Sequence, residues 1–222
     1  MASSLTERWW RLPKWVQALA GAYLPPQAVG QRVFYLTFDD GPSGPLTVEL
    51  VDLLEAWGWR ATFFWVWSAY QETWGALLAQ KLRAGGHAVG LHGEEHLSPW
   101  RLPRRLRQEG LKRAWRCWEK VGVPLVSYYR PPYGHGWGWA ALPGFRWVLW
   151  DLMPLDYLPN PSWPDRLLRQ LRPGDVVVLH ERRYNLTAWG RFFRMAAYEG
   201  WRAIGLPPVE GAPQKGSSLS AG

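Results

Sequence analysis

Two histidines four residues apart, His92 and His96, and two adjacent carboxylates, Asp39 and Asp40, are the residues of this chain whose types and spacing most directly suggest chemistry. Both imidazoles can reach one cation, and a carboxylate from another element completes a three-ligand set, for which Asp40 is the natural third member. Two histidines and one carboxylate leave positions open for water and substrate, the arrangement used by hydrolytic zinc sites and also by non-haem iron oxygenases. An α/β chain with a second acid beside the ligand supplies a base for the bound water, which favours hydrolysis. Two carboxylates facing one small pocket raise each other's pKa unless a cation intervenes. A division of labour is therefore expected, with one carboxylate on the metal and the other, paired with Arg130, kept ionised to accept a proton. Glu94 and Glu95, between the histidines, are expected to point to solvent, and His87 and His135 to be structural or rim residues.

These groups need elements that bring them together. Apolar runs at 33–38, 61–67, 87–91, 125–129, 146–150, 175–179 and 201–206 read as strands. They alternate with amphipathic stretches at 45–57, 74–84, 103–121, 163–171 and 187–198, several opening on Pro or closing on Gly. Such alternation predicts βα units and a single-domain α/β barrel, closed or distorted, with about seven parallel strands. On that map Asp39 and Asp40 follow the first strand, His92 the third, Arg130 the fourth, Asp151 the fifth and His180 the sixth. The C-terminal ends of parallel barrel strands share one face, which is where barrel enzymes keep their chemistry. Gly41 and Pro42 turn the chain directly after the acid pair, as suits a strand opening into a site.

The motifs Thr37-Phe38-Asp39-Asp40-Gly41-Pro42, His92-Gly93-Glu94-Glu95-His96, Arg130-Pro131-Pro132-Tyr133-Gly134, Trp150-Asp151 through Asp156-Tyr157, and Val177-Val178-Leu179-His180-Glu181 occur in this order. Together they resemble the polysaccharide deacetylase family, also called the NodB-homology domain or carbohydrate esterase family four. The resemblance spans 33 to about 206. It implies a distorted (β/α) barrel and a metal-dependent hydrolase that removes acetyl groups from sugars such as N-acetylglucosamine polymers, acting on the carbon–nitrogen bond of a linear amide. By the same resemblance Asp39 corresponds to the catalytic base, and Asp40, His92 and His96 to the ligands of one divalent ion, zinc first, with cobalt, nickel or manganese as alternatives. Arg130 corresponds to the partner that orients the base, His180 to the general acid, and Asp156 to the acid that tunes it. Tyr133 corresponds to the residue whose backbone N–H holds the oxyanion, and Pro132, Tyr133, Trp150 and Val178 to the substrate wall. The chain departs from the family pattern at Gly93, where Ser or Thr is usual, at Met153 and Tyr157, where Asp and Trp are common, and at Val178 in place of Leu.

Composition sets the outer bounds. The 222 residues are 47% hydrophobic and 20% charged, a folded globular balance. The net charge of +8 suits anionic partners and peripheral contact with a membrane or cell wall. Charge alone does not make a nucleic-acid protein, and none is expected here; the expected partner is an acetylated carbohydrate, bound by a monomer. The single Cys117 excludes an internal disulfide. Six of the eighteen Trp residues, Trp57, Trp59, Trp65, Trp67, Trp147 and Trp150, sit in or beside apolar runs and read as core packing; Trp137, Trp139 and Tyr157 would line an open groove. No apolar stretch is long enough to span a bilayer. Arg8, Arg11 and Lys14 precede an apolar run, but Gln17 interrupts it and no A-x-A site follows. Residues 1–31 are therefore expected to form a helical extension packed through Trp9, Leu12, Trp15, Val16 and Leu19, followed by the barrel at 32–206 and a flexible tail at 207–222. Location stays open between cytoplasm and cell envelope. A small-amide hydrolase with a lidded pocket and a non-catalytic carbohydrate-binding barrel are the competing readings.

Overall fold

The computed structural model describes residues 11–27, 31–136, 143–158 and 161–208. Trp9, Trp137, Trp139 and the tail beyond 208 lie outside the described residues. Seven strands form one sheet: β1 (Val33–Asp39), β2 (Thr62–Val66), β3 (Ala88–Gly93), β4 (Leu125–Tyr129), β5 (Arg146–Trp147), β6 (Val176–His180) and β7 (Arg202–Ile204). The order is β5-β4-β3-β2-β1-β6, with β7 paired to the start of β1, and every strand pairing is parallel. Between them run α1 (Lys14–Leu19), α2 (Pro45–Ala56), α3 (Glu72–Ala84), α4 (Arg104–Val121), α5 (Trp163–Gln170) and α6 (Leu186–Tyr198).

Both faces of the sheet are covered, which is why β1 and β2 are buried along their whole length and read as continuous apolar runs. Phe34, Leu36 and Phe38 point outward to the helices, where Phe38 meets Trp189 of α6 edge-on. The alternate residues of β1, Tyr35, Thr37 and Asp39, face the concave side, where Tyr35 packs in a smaller cluster with Phe64, Tyr128 and Val176. Alternation therefore turns one strand into a wall that is apolar behind and polar at its inner upper end. The sheet is curled. The strand expected at 146–150 pairs only over Arg146–Trp147, because the chain then crosses to the far edge, where Asp151 and Leu152 donate to the Val176 carbonyl and the Leu152 carbonyl accepts from Val178. The bridge between Leu152 and Val177 draws the two ends of the sheet into a distorted barrel.

The N-terminal segment packs differently from expectation. Trp15 is 66% exposed and Leu19 also faces solvent, whereas Gln17 is the buried residue of α1. Gln17 donates to Asp151 Oδ1 at 2.9 Å, and the Leu12 N–H donates to the Asp151 carbonyl. A polar anchor, not the apolar face, therefore sets the helix's rotation. Among the core tryptophans, Trp59, Trp65 and Trp147 are buried, but Trp57, which follows the last turn of α2, is exposed. Among the described residues no helix is long and apolar enough to cross a membrane.

Candidate active site

The end of β1 carries the two adjacent acids into different environments. Asp39 is the last residue of the strand and keeps the inward direction of Tyr35 and Thr37. Asp40 then adopts φ 74°, a left-handed backbone uncommon outside glycine, which separates its carboxylate from that of Asp39. Gly41 must follow: a Cβ there would lie 1.8 Å from Glu181 Oε1. Glu181 is buried behind this turn, accepting from Trp65 Nε1 at 2.9 Å and from the Thr47 hydroxyl. Burial pushes its pKa up to about 7.

Arg130, at the end of β4, is fully buried and holds Asp39 from below. Its Nη1 donates to Asp39 Oδ1 and to Thr37 Oγ1, both at 2.8 Å, and its Nη2 donates to the Leu149 carbonyl. The guanidinium lies 4.2 Å over the Phe64 ring. Thr37, which has no assigned role in the sequence motif, sits two residues before Asp39 on the same face and completes this cradle.

Asp40, His92 and His96 come together as the expected ligand set. Asp40 Oδ1 is 3.3 Å from His92 Nε2 and 3.1 Å from His96 Nε2, and all the donor atoms lie within 4.8 Å of one another. Burial pushes the Asp40 carboxyl up, but hydrogen bonds to His92 and His96 outweigh it and hold the group well below the usual carboxylate range. His92 Nδ1 lies 2.7 Å from the Arg130 carbonyl, which can only accept. Nδ1 therefore carries a proton, and once Nε2 gives up its hydrogen bond to Asp40 its lone pair faces the site, the orientation a metal ligand requires. A bulge supports this: the β2–β3 register slips between Trp65 and Val66, with Leu91 and then Gly93 as partners, so that His92 is left out of the ladder. Gly93 has φ 144°, and a Cβ there would be 2.6 Å from the Glu95 carbonyl oxygen. This loop cannot hold Ser or Thr in its present form, which accounts for the departure noted in the sequence.

On the other side of Asp39 stands His180, its direct partner in the β1–β6 register. Its Nδ1 is 2.8 Å from Asp156 Oδ1, and its backbone N–H donates to Asp156 Oδ2 at 2.7 Å. Asp156 is fully buried and also accepts from Asn185 Nδ2 at 3.2 Å. Burial lowers the His180 pKa, but the Asp156 carboxylate, reinforced by Asp39 and Asp40, raises it on balance. The imidazolium is thus favoured, with Nε2 free to present a proton.

These groups share a cavity of about 450 Å³ whose walls include Tyr133, Trp150, Met153 and Tyr157. Tyr133 is 61% exposed and holds a left-handed backbone at φ 63° in the tight turn Pro132–Gly134. Tyr157 meets the edge of His180. Several expectations need correction. Val178 is fully buried within β6, and Pro132 lines a neighbouring cleft, so neither faces this cavity. Asp151 turns away to receive Gln17 Nε2 and the Val176 N–H. Glu94 is not simply solvated, since it forms a two-pronged pair with Arg113 of α4. His87 is structural as expected: its Nδ1 accepts the Ala61 N–H, and burial drives its pKa down to about 4. Arg182 and Asn185 were missed by the sequence reading. Arg182 Nη2 donates to Asp40 Oδ2 at 2.6 Å, which leaves Oδ1 as the oxygen facing the histidines. Their signal is weak, because each lies in a loop after β6 whose path depends on the whole barrel.

Comparison with known proteins agrees with this geometry. Residues 27–139 match the family model described as polysaccharide deacetylase. The chain is 30% identical over 162 residues to a chitooligosaccharide deacetylase of Azorhizobium caulinodans, covering 68% of this chain and 74% of that one. It is 29% identical over 161 residues to a peptidoglycan-N-acetylglucosamine deacetylase of Bacillus cereus, covering 68% and 73%. Among solved structures it resembles the peptidoglycan deacetylase PdaC from Bacillus subtilis, with a TM-score of 0.72 and 26% identity over 79% of this chain and 88% of that one.

Proposed function

Because the chain belongs to the polysaccharide deacetylase family, we propose that it hydrolyses the N-acetyl group of an N-acetylglucosamine-containing saccharide, releasing acetate and leaving a free amine on the sugar. The observation that carries this reading is the placement of Asp39 and His180 as directly opposed residues of β1 and β6, beside the Asp40, His92 and His96 donor set in one cavity. A carboxylate and an imidazolium on adjacent strands form a base and an acid that can serve the two ends of one amide hydrolysis.

The donors suit a divalent ion. One carboxylate oxygen and two imidazole nitrogens, one of them with its tautomer set by the Arg130 carbonyl, suit zinc, which is proposed first, and also cobalt, nickel or manganese. Such an ion would polarise the acetyl carbonyl and acidify water. The protein's own groups do the rest. Asp39 Oδ2, without a hydrogen-bond partner among the described residues while Oδ1 is held by Arg130, accepts the proton of the attacking water. The Tyr133 backbone N–H is offered by its left-handed turn to the developing oxyanion. His180, with Nδ1 held by Asp156, gives the Nε2 proton to the departing nitrogen as the carbon–nitrogen bond breaks. Tyr133 and Tyr157 are exposed at the rim, which supports a saccharide substrate over a small enclosed amide.

Acetate release from N-acetylglucosamine oligomers, measured on protein stripped with chelator and then given zinc, cobalt or no metal, tests the reading. Release restored by metal and abolished by Asp39→Asn is expected; no release with any metal from protein that still binds zinc would overturn the assignment to these oligomers.

A further inference from the structure

We propose that Trp100 is the floor of a distal sugar subsite, so that the enzyme grips a saccharide chain several rings long and not only the acetylated residue; this rests on the deacetylase reading above. A succession of ring contacts connects the metal-ligand cluster to Trp100. The His96 and Tyr133 centroids are 4.7 Å apart, Tyr133 and His135 are 5.6 Å apart, and His135 lies 4.3 Å from Trp100 with the two planes 7° from parallel. Each step is comparable with the width of one sugar ring, and Tyr133 already belongs to the cavity wall. Trp100 is 65% exposed although one of its faces is covered by His135.

An indole left in solvent by chance is normally mobile, whereas this one is held. It lies in the short turn Pro99–Arg101, whose first carbonyl receives Arg107 Nη1 at 2.9 Å from within α4. His135 is itself fixed by a 3.0 Å hydrogen bond between its Nδ1 and Ser98 Oγ. The ring is therefore braced on one side by its neighbours, and its open face is the kind of flat apolar surface on which the C–H face of a pyranose packs. Continuity with the cavity through Tyr133 and His135 favours a saccharide over a lipid surface as its occupant.

The test measures affinity by calorimetry for the dimer and the tetramer of N-acetylglucosamine, using the Asp39→Asn protein to prevent turnover. Adding Trp100→Ala is expected to lower the tetramer-to-dimer affinity ratio about fivefold to tenfold. Trp100→Phe keeps a flat ring and should retain most of the preference, and Trp57→Ala, which removes an exposed indole far from the site, should leave it unchanged. An unaltered ratio in a Trp100→Ala protein that melts with its Asp39→Asn parent would overturn the proposal. So would loss of binding to vesicles of anionic phospholipid with the oligomer ratio intact, which would make the residue a membrane contact. If the metal-loaded wild type releases no acetate while the Trp100-dependent preference persists, the deacetylase reading fails and the subsite stands.

Discussion

The pair formed by Arg130 and Asp39 lends itself to a thermodynamic cycle. Both side chains are almost wholly removed from solvent, and the guanidinium also satisfies Thr37 Oγ1 and the Leu149 carbonyl. Arg130→Met keeps an unbranched stem against Phe64 but leaves the Asp39 charge and three acceptors, Thr37 Oγ1 and the Val148 and Leu149 carbonyls, without the guanidinium, and removing one partner of a buried pair costs about 3–5 kcal/mol. Asp39→Asn strands the buried cation and belongs in the same range. The double variant strands no charge and retains only the unsatisfied polar groups, at about 1–3 kcal/mol. It should therefore be more stable than Arg130→Met alone, with a coupling energy of about 3 kcal/mol or more. For a chain of this size each kcal/mol moves the melting temperature by about 2–4 °C, so the single variants should melt about 10 °C low and the double variant should recover part of the loss. Urea unfolding followed by circular dichroism on chelator-treated protein gives all four corners of the cycle. A double variant whose loss equals the sum of the two single losses would refute the reasoning that Arg130 is retained as the counter-charge of Asp39.

Three other perturbations follow from the site. Asp156→Asn removes the carboxylate that raises the His180 pKa, so the high-pH limb of the activity profile should move to lower pH; a limb that stays in place would show that His180 is not the acid. In the same way, the stability contributed by protonated His180 is complete below the unfolded histidine value of about 6.5 and is lost as pH rises through its raised folded value, a loss that should shrink in Asp156→Asn. Glu181, with its pKa pushed up from 4.5 to about 7 by burial, favours the folded state below pH 4.5 and loses that advantage as pH rises through 7. Glu181→Gln should abolish a stability difference of about 3 kcal/mol between pH 4.5 and 8 in denaturant titrations. His92→Ala and His96→Ala should each abolish stoichiometric zinc retention after dialysis, read by atomic absorption, while a retained equivalent in either would show that the ligand set is wrong.

The strands that build the barrel were legible because burial on both faces writes them as unbroken apolar runs, and the motif residues because they sit at the ends of those runs. Where the sequence misled, a polar contact at long sequence separation had decided the outcome. Trp15 and Leu19 have helical spacing, yet the rotation of α1 is set by Gln17 reaching Asp151, 134 residues away, and the same contact draws Asp151 out of the catalytic face. Glu94 has the sequence context of a solvated residue because its partner, Arg113, lies on the helix packed behind it. Val178 has the inward parity of His180, but parity gives the side of the sheet and not the depth at which a side chain sits. Arg182 and Asn185 carry only a weak signal, since loops report their contacts only once the strands on either side are placed.

Residue 130 acts twice, once through its guanidinium on Asp39 and once through its backbone oxygen on His92. Side-chain replacement reaches only the first of these. Under the proposed function, a scan of variants at this position would find an inert protein that still loads a metal ion, and metal content would be no guide to turnover. Under the same proposal, the capacity to bind an ion and the capacity to use it would be separable traits, so a lineage could discard the reaction by one substitution at this position and keep the ion as a purely architectural component.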